Sequence, residues 1–227
     1  MKNKPEFLLI ISAFITAGFT VAVKTVDVQP IGPAETSVGF ATINQKWAEK
    51  IGVNYTWYNL ATLLGLVVIA IFLVFAMVGL VQLIKRRSLF KVDMNILCLG
   101  AIYLAVFLLY VMFEKVIVNY RPVIMPGETM PEASFPSSHT MMAIVVIIGA
   151  MLQLKYYVKK RSTRLFLQVD LAVILICAVA SRVLSGAHWL TDIVAGTLYS
   201  LTLLSVYAVL MHAANRYNPA NRHVAKH

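Results

Sequence analysis

The chain has 227 residues, of which 59% are hydrophobic and only 13% are charged. This apolar share is well above that of a soluble domain, so the composition excludes an ordinary soluble protein and predicts a polytopic membrane protein. The net charge of +10 would suggest nucleic-acid binding in a soluble protein. Here the basic residues lie in particular loops, which indicates membrane topology and no nucleic-acid partner.

Six apolar runs are long enough to cross a bilayer, whose hydrocarbon core of about 30 Å needs about 20 helical residues. They lie at about 7–23, 58–84, 94–118, 139–158, 165–184 and 191–213. We therefore expect an all-α bundle of six transmembrane helices, forming one membrane domain over residues 1–227. The first run has the basic start of a secretory signal peptide, but no A-x-A-like cleavage site follows it, so we interpret it as a span.

Basic residues flank the spans at one end of the predicted bundle. They are Lys2, Lys4, Lys85, Arg86, Arg87, Lys91, Lys159, Lys160, Arg161, Arg164, Arg216, Arg222 and Lys226. By the positive-inside rule, this end and both termini are cytoplasmic. The loops near 24–57, 119–138 and 185–190 are then expected to face outward.

The two longer outward loops differ in their predicted structure. Aromatic residues near the end of 24–57 fit a short helix on the membrane surface, and they fit equally a loop with ordinary interfacial anchors. The segment 119–138 is rich in proline, so we expect it to be irregular. Its carboxylates Glu128 and Glu132 would repel an anionic substrate if they faced the site, and we expect both to be solvated.

The first candidate catalytic residues are His188 and Asp192, which lie four residues apart at the start of the sixth span. On a helix they share a face, where the carboxylate can fix the imidazole tautomer and leave the other nitrogen as a nucleophile. Alone, the pair also fits a polar anchor. Arg182 at the end of the fifth span favours a phosphate site, because a guanidinium near a membrane needs a partner and grips phosphate through paired hydrogen bonds. Snorkelling to the interface is the alternative for Arg182.

Ser137, Ser138 and His139 stand immediately before the fourth span. The N–H groups at a helix start can cradle an anion together with serine hydroxyls, and His139 could protonate a leaving oxygen. In isolation, a serine cap followed by an interfacial histidine explains the same residues. Arg121, just past the third span, could reach the same pocket.

The order Arg-Pro, then Pro-Ser-x-His, then Ser-Arg-x5-His-x3-Asp resembles the three-part signature of the type-2 phosphatidic acid phosphatase family of integral-membrane lipid phosphate phosphatases. Ser181-Arg182-VLSGA-His188-WLT-Asp192 matches the third part in full. The resemblance covers a phosphatase core of about residues 60–213. The family fold is a six-helix membrane bundle, in agreement with the hydropathy pattern.

The resemblance implies that His188 is the nucleophile forming a phosphohistidine, Asp192 orients it, and His139 is the general acid. Arg121, Arg182 and the Ser137-Ser138 region would hold the phosphoryl oxygens, without a metal or other cofactor. Two positions depart from the family pattern. Ser138 replaces the usual glycine, and Glu114 stands where the family has a lysine seven residues before the arginine. Lys115 is one position away, and its flexible stem could still bring its ammonium to the phosphate.

The expected function is an outward-facing lipid phosphatase in a cell membrane, acting on a phosphate or diphosphate headgroup. The resemblance implies undecaprenyl diphosphate as the first candidate, followed by phosphatidylglycerol phosphate or phosphatidic acid, and predicts inhibition by vanadate. Two alternatives remain open. The same intermediate could pass its phosphoryl group to another lipid, or the protein could bind or transport a lipid phosphate without catalysis.

Overall fold

The structure is a computed structural model that describes residues 4–125 and 127–217. Within this part the chain is built from α-helices joined by loops and two short 3₁₀ turns, Pro33–Glu35 and Leu89–Lys91. The helices are α1 (Lys4–Thr25), α2 (Ala41–Ile51), α3 (Tyr55–Arg86), α4 (Met94–Lys115), α5 (Ser138–Tyr157), α6 (Arg161–Leu184) and α7 (Leu190–Tyr217).

Six of the helices in the described part, α1 and α3 to α7, are long and apolar enough to cross a membrane. This confirms the predicted all-α bundle of six spans. The boundaries differ from the prediction by a few residues: α6 already begins at Arg161, and α4 ends at Lys115 instead of near 118. The β-branched run Val116-Ile117-Val118 follows that end, where the backbone leaves the helical region.

The central helix of the bundle is α5, which packs against α3, α4, α6 and α7, while α1 packs against α7. Small residues let the neighbours approach α5 closely, as is typical inside membranes, where helices gain little from hydrophobic burial. At Gly149 a Cβ atom would lie 2.8 Å from Leu99 Cδ1 of α4. At Gly196 of α7 it would lie 2.8 Å from the Ser137 carbonyl oxygen. Because glycine has no Cβ at these two positions, α4 and α7 can pack directly against α5.

A buried polar cluster joins α4, α5 and α7 near the ends of α5 and α7. Asn95 Nδ2 donates to Gln153 Oε1 over 2.7 Å, and Gln153 Nε2 donates to the Tyr207 hydroxyl over 2.9 Å. All three side chains are buried. Because an unpaired polar group costs several kcal/mol in a lipid environment, this mutual satisfaction fixes the three helices in one register.

The opposite end of the bundle, where α4 and α6 end and α5 and α7 begin, is called the site end below. Helix α2 lies there, so residues 41–51 form a helix and not a simple loop. The buried side chain of Asn44 donates to Thr191 Oγ1 over 2.9 Å and holds α2 against the start of α7. The loop between α2 and α3 is tied down by Asn54 N–H, which donates to the Ser185 carbonyl over 3.0 Å.

The loop between α4 and α5 is irregular, as the prolines predict, but its two ends are paired. Ser134 N–H donates to the Asn119 carbonyl and Arg121 N–H to the Glu132 carbonyl, each over 2.9 Å. The segments 119–121 and 132–134 therefore run antiparallel beside the site end and fix the backbone around Arg121.

Candidate active site

His188 lies on the short turn between α6 and α7 and is only 4% exposed. The turn depends on Ser185, whose Oγ donates to the Arg182 carbonyl over 2.8 Å and accepts from Ala187 N–H over 3.3 Å. Gly186 has a φ of +66°, a conformation that side chains disfavour. A Cβ there would stand 1.9 Å from the Gly52 carbonyl oxygen, so glycine is needed for the loops to meet.

Asp192 is fully buried in the first turn of α7, one helical turn after His188. Its Oδ2 accepts from Trp189 N–H over 3.1 Å, and its Oδ1 accepts from Asn119 Nδ2 over 3.2 Å. His188 Nδ1 lies 3.5 Å from Oδ2, which is longer than a good hydrogen bond. The carboxylate is thus placed beside Nδ1, as expected for an orienting group, while its shortest bonds go to Trp189 and Asn119.

Burial keeps His188 neutral. Its pKa lies well below the ordinary value because the buried position disfavours an imidazolium, and because the charges of Arg182 and Arg121 repel a further positive charge. The imidazole therefore keeps a lone pair at neutral pH. With Nδ1 beside the Asp192 carboxylate, that lone pair falls on Nε2.

Arg121 reaches this nitrogen, as its sequence position predicts. Its Nη1 lies 3.4 Å from His188 Nε2 and 3.5 Å from the Ala187 carbonyl oxygen. On its other edge, Nε lies 2.9 Å from Glu132 Oε2. The expectation that Glu132 is simply solvated is wrong, because the paired backbone of the loop brings its carboxylate against the guanidinium. The Glu132 side chain is 41% exposed and the Arg121 side chain 14% exposed.

Arg182 is almost completely buried, at 2% exposure, near the end of α6. Its Nη2 lies 3.1 Å from His139 Nδ1, and its Cζ stands 5.5 Å from the centre of the Tyr58 ring. Within the described part of the chain, its Nε and Nη1 have no hydrogen-bond partner. Buried donors of this kind fit an anion, since an unpaired buried N–H is costly.

Ser137 and Ser138, at the start of α5, have different surroundings. Ser137 is buried, and its Oγ caps the helix by contacting Thr140 N–H at 3.5 Å and Thr140 Oγ1 at 3.0 Å. Its N–H donates to the Asp192 carbonyl over 2.9 Å, which joins α5 to α7. Ser138 and His139 line a cavity instead. Because Arg182 donates to its Nδ1, neutral His139 carries its proton on Nε2.

The cavity has a volume of about 1240 Å³ and joins the candidate residues to the membrane-spanning region. At the site end it is lined by Arg121, Glu132, His139 and His188. Further along it is lined by apolar side chains of α3, α4 and α5, down to Leu83 and Leu89 near the opposite end. Wall residues of α4 such as Leu104 and Phe107 are exposed, so the cavity is a groove open toward the surroundings.

The structure separates Lys115 from this cavity. Lys115 is exposed at the end of α4 and is not among the residues that line the groove, whereas Glu114 is. A role for Lys115 in phosphate binding therefore gains no support from its placement. In the described residues, no group of three or more His, Cys, Asp or Glu side chains is placed to hold a metal ion.

The sequence does not predict three further residues that lie around the site. Asn119 contacts Asp192 and, through Oδ1, the N–H of Gly39 at 3.4 Å. Ser134 Oγ donates to the Asn119 carbonyl over 3.2 Å, and Tyr58 faces Arg182. The local signal for Asn119 is an amide just before Arg121, between apolar neighbours. For Ser134 and Tyr58, no local pattern distinguishes them from ordinary loop and interface residues.

The fold defines an integral membrane protein. The PAP2 superfamily profile matches residues 95–216, more than half of the chain, so the protein belongs to the PAP2 superfamily. The fold is also similar to the crystal structure of a transmembrane PAP2 type phosphatidylglycerolphosphate phosphatase from Bacillus subtilis. The TM-score is 0.62 at 18% identity, over 95% of this chain and 98% of that one.

At 18% identity, the likeness to the Bacillus subtilis structure shows the fold alone. No curated protein sequence matches the chain. The family and the fold together support a membrane phosphatase acting on lipid phosphates. The family predicted from the sequence signature is thereby confirmed.

Proposed function

We propose that the protein hydrolyses the phosphate or diphosphate headgroup of a lipid through a phosphohistidine on His188. The observation that carries this proposal is the position of His188 Nε2, 3.4 Å from Arg121 Nη1 and at the end of an apolar groove. A neutral imidazole and the Arg121 guanidinium lie at the end of one groove, and Arg182 lies beside His139, which also lines that groove. Such a site stabilises a phosphoryl transition state by positioning and charge.

In the first step, His188 Nε2 attacks phosphorus while the bond from phosphorus to the leaving oxygen breaks. Arg121 Nη1 and the free Nε and Nη1 of Arg182 bind the phosphoryl oxygens. In this step the phosphate oxygens replace His139 Nδ1 as the acceptor of the Arg182 donor, and His139 takes part in its protonated form. His139 then donates its proton to the leaving oxygen.

In the second step, water attacks the phosphohistidine and gives a proton to His139. The phosphorus–nitrogen bond breaks, inorganic phosphate leaves, and His188 returns to its neutral state. Asp192 keeps the proton of His188 on Nδ1 throughout, so Nε2 is the reacting nitrogen in both steps. The fixed bonds of Asp192 to Trp189 and Asn119 support this orienting role.

The length of the groove favours a lipid with one long tail. Its α4 wall runs from Ile96 to Glu114, which corresponds to about 27 Å of helix. This is close to the full thickness of a bilayer core of about 30 Å. A polyprenyl chain such as that of undecaprenyl diphosphate is long enough to extend along this groove. Phosphatidylglycerol phosphate, the substrate class named for the similar Bacillus subtilis protein, and phosphatidic acid are the next candidates.

The deciding experiment is phosphate release by detergent-purified protein from these three lipids, with excess chelator present. We expect release by the wild type and a loss of at least about a thousandfold in His188→Ala, since the nucleophile is removed. Release by the variant at the wild-type rate would contradict the phosphohistidine. An added acceptor lipid that becomes phosphorylated would identify a transferase, and binding without release by any protein would indicate a non-catalytic role.

A further inference from the structure

Glu132 has a fixed position opposite Arg121. The Arg121 N–H donates to the Glu132 carbonyl over 2.9 Å, and two residues away Ser134 N–H donates to the Asn119 carbonyl over the same distance. The Glu132 side chain therefore projects from a paired backbone and not from a free loop. Its carboxylate contacts Nε of the guanidinium, whereas His188 lies near Nη1.

The contact uses one edge of the guanidinium and leaves the other for substrate. Glu132 Oε2 lies 2.9 Å from Nε, while Nη1 points toward His188 Nε2 at 3.4 Å. The angle at the Nε–H departs from hydrogen-bond geometry, so the contact depends on charge. Because a guanidinium is planar and rigid, a carboxylate held beside Nε limits the directions that the two terminal nitrogens can take.

We propose that Glu132 is a positioning residue, which holds Arg121 through Nε so that its terminal nitrogens face the phosphoryl group on His188. This inference rests on the proposed function and adds a residue outside the predicted signature. A carboxylate in a phosphate site would compete with substrate if it occupied the terminal nitrogens. Here it takes Nε, and the Nη edge stays available.

The same loop supplies a matched control. Glu128 is exposed four residues earlier and forms no ion pair among the described residues. Glu128→Gln and Glu132→Gln thus remove the same charge from the same loop with the same change of shape. Only the second substitution removes the charge beside Arg121.

The test measures kcat and KM for lipid phosphate release, together with the affinity for orthovanadate by calorimetry. We expect Glu132→Gln to lower kcat by about 10- to 100-fold, as small misplacements of catalytic groups do, with a smaller change in KM. Vanadate affinity falls by a similar factor, because vanadate imitates the transition state. Glu128→Gln keeps wild-type values, and both variants keep the wild-type thermal transition.

A double-mutant cycle separates positioning from a general structural effect. Arg121→Lys keeps a positive charge but has no Nε and no planar fork, so adding Glu132→Gln to it should change kcat less than about twofold. A full repeat of the loss in that background would overturn the proposal. So would wild-type or higher activity in Glu132→Gln alone, which would make Glu132 neutral or a competitor of the substrate.

Failure of the proposed function would be visible separately. If the wild type releases no phosphate from any lipid but binds vanadate, the vanadate affinities alone decide the role of Glu132. Equal vanadate affinity in the wild type and Glu132→Gln would then overturn it. Absence of vanadate binding in the folded wild type would overturn both proposals.

Discussion

His188, the proposed nucleophile, has a lowered pKa, and this pKa leads to a prediction on pH. Burial and the charges of Arg182 and Arg121 lower its pKa well below the ordinary value. In the proposed mechanism only the neutral imidazole attacks, so activity is lost as pH falls through this pKa. We expect the acid limb of kcat/KM that belongs to His188 to lie below about pH 6.5, the ordinary pKa of histidine.

Removal of one charge should move this limb in a known direction. Arg121→Gln takes away a repulsive charge, which raises the pKa of His188, so the limb shifts to higher pH while the rate falls. Arg87→Gln, at the opposite end of the bundle, should leave the profile unchanged. The substrate titrates in the same way in the assays of all these proteins, so its titration does not alter the comparison. An unshifted limb in Arg121→Gln would contradict the electrostatic contribution of Arg121.

At the residue scale, the types and spacing of the signature name the two histidines, the two arginines and Asp192 as candidates. Apart from the pairing of His188 with Asp192, it does not predict their partners. Asn119 contacts Asp192 across 73 positions of the chain, and such a contact depends on how the helices pack. The expectation that Glu132 is solvated fails for the same reason, since the pairing of its loop with Arg121 has no local signature.

At the scale of elements, the turn from α6 to α7 depends on close contact between two glycines. Gly186→Ala places a Cβ 1.9 Å from the Gly52 carbonyl oxygen, in addition to the strain of its φ of +66°. Gly52→Ala has a similar φ of +65° but no neighbouring atom within 4 Å. We expect Gly52→Ala to cost about 1–3 kcal/mol, the backbone strain alone at a φ of +65° and a ψ of 178°, and Gly186→Ala to cost more.

Thermal unfolding in detergent and phosphate release together measure this difference. The apparent Tm should fall by a few degrees for Gly52→Ala, using about 2–4 °C per kcal/mol, and further for Gly186→Ala. Turnover should fall mainly in Gly186→Ala, because the turn carries His188. Equal behaviour of the two variants would show that the close contact with Gly52 is unimportant.

The six spans could be predicted from hydropathy because each run meets the length that a bilayer requires. Helix α2 could not be decided, since an aromatic-rich polar segment fits a surface helix and a loop equally well. Its helix is held by Asn44, which bonds to Thr191 on α7. A contact between residues 147 positions apart in the chain therefore holds this segment as a helix.

For the whole molecule, the groove is the feature that the sequence leaves undetermined. Apolar residues that face lipid, a neighbouring helix or a substrate tail have the same chemistry, so periodicity cannot separate them. The structure assigns Leu104 and Phe107 to the groove wall. Gly100 also lines it, and a Cβ there would have no atom within 4 Å.

A large side chain in the groove should lower kcat/KM only for substrates with a long tail. Gly100→Trp places an indole in the channel, and we expect a loss of about 1–3 kcal/mol, on the order of tenfold or more in kcat/KM, for undecaprenyl diphosphate. A short-chain phosphate ester should be hydrolysed at the wild-type rate. Gly18→Trp on α1, equally free of neighbours but outside the groove, is the control. Equal effects on both substrates would argue against a tail in this channel.

Orientation in the membrane is a property of the whole chain and remains a prediction. The basic residues near the ends of α3 and α5 predict that the site end faces outward. In a protein with Cys98 and Cys177 replaced, Glu128→Cys should react with an impermeant maleimide on intact cells. Arg87→Cys should react only after permeabilisation. The reverse pattern would place the site on the cytoplasmic side.

The open side of the groove would let the tail of the proposed lipid substrate enter from the bilayer without crossing water. Encounter then becomes a two-dimensional search, governed by the mole fraction of substrate in the surrounding amphiphile. Diluting a fixed amount of substrate with inert detergent should slow the reaction, although the concentration per litre of solution is unchanged. A groove that opened only toward water would not show this surface dilution.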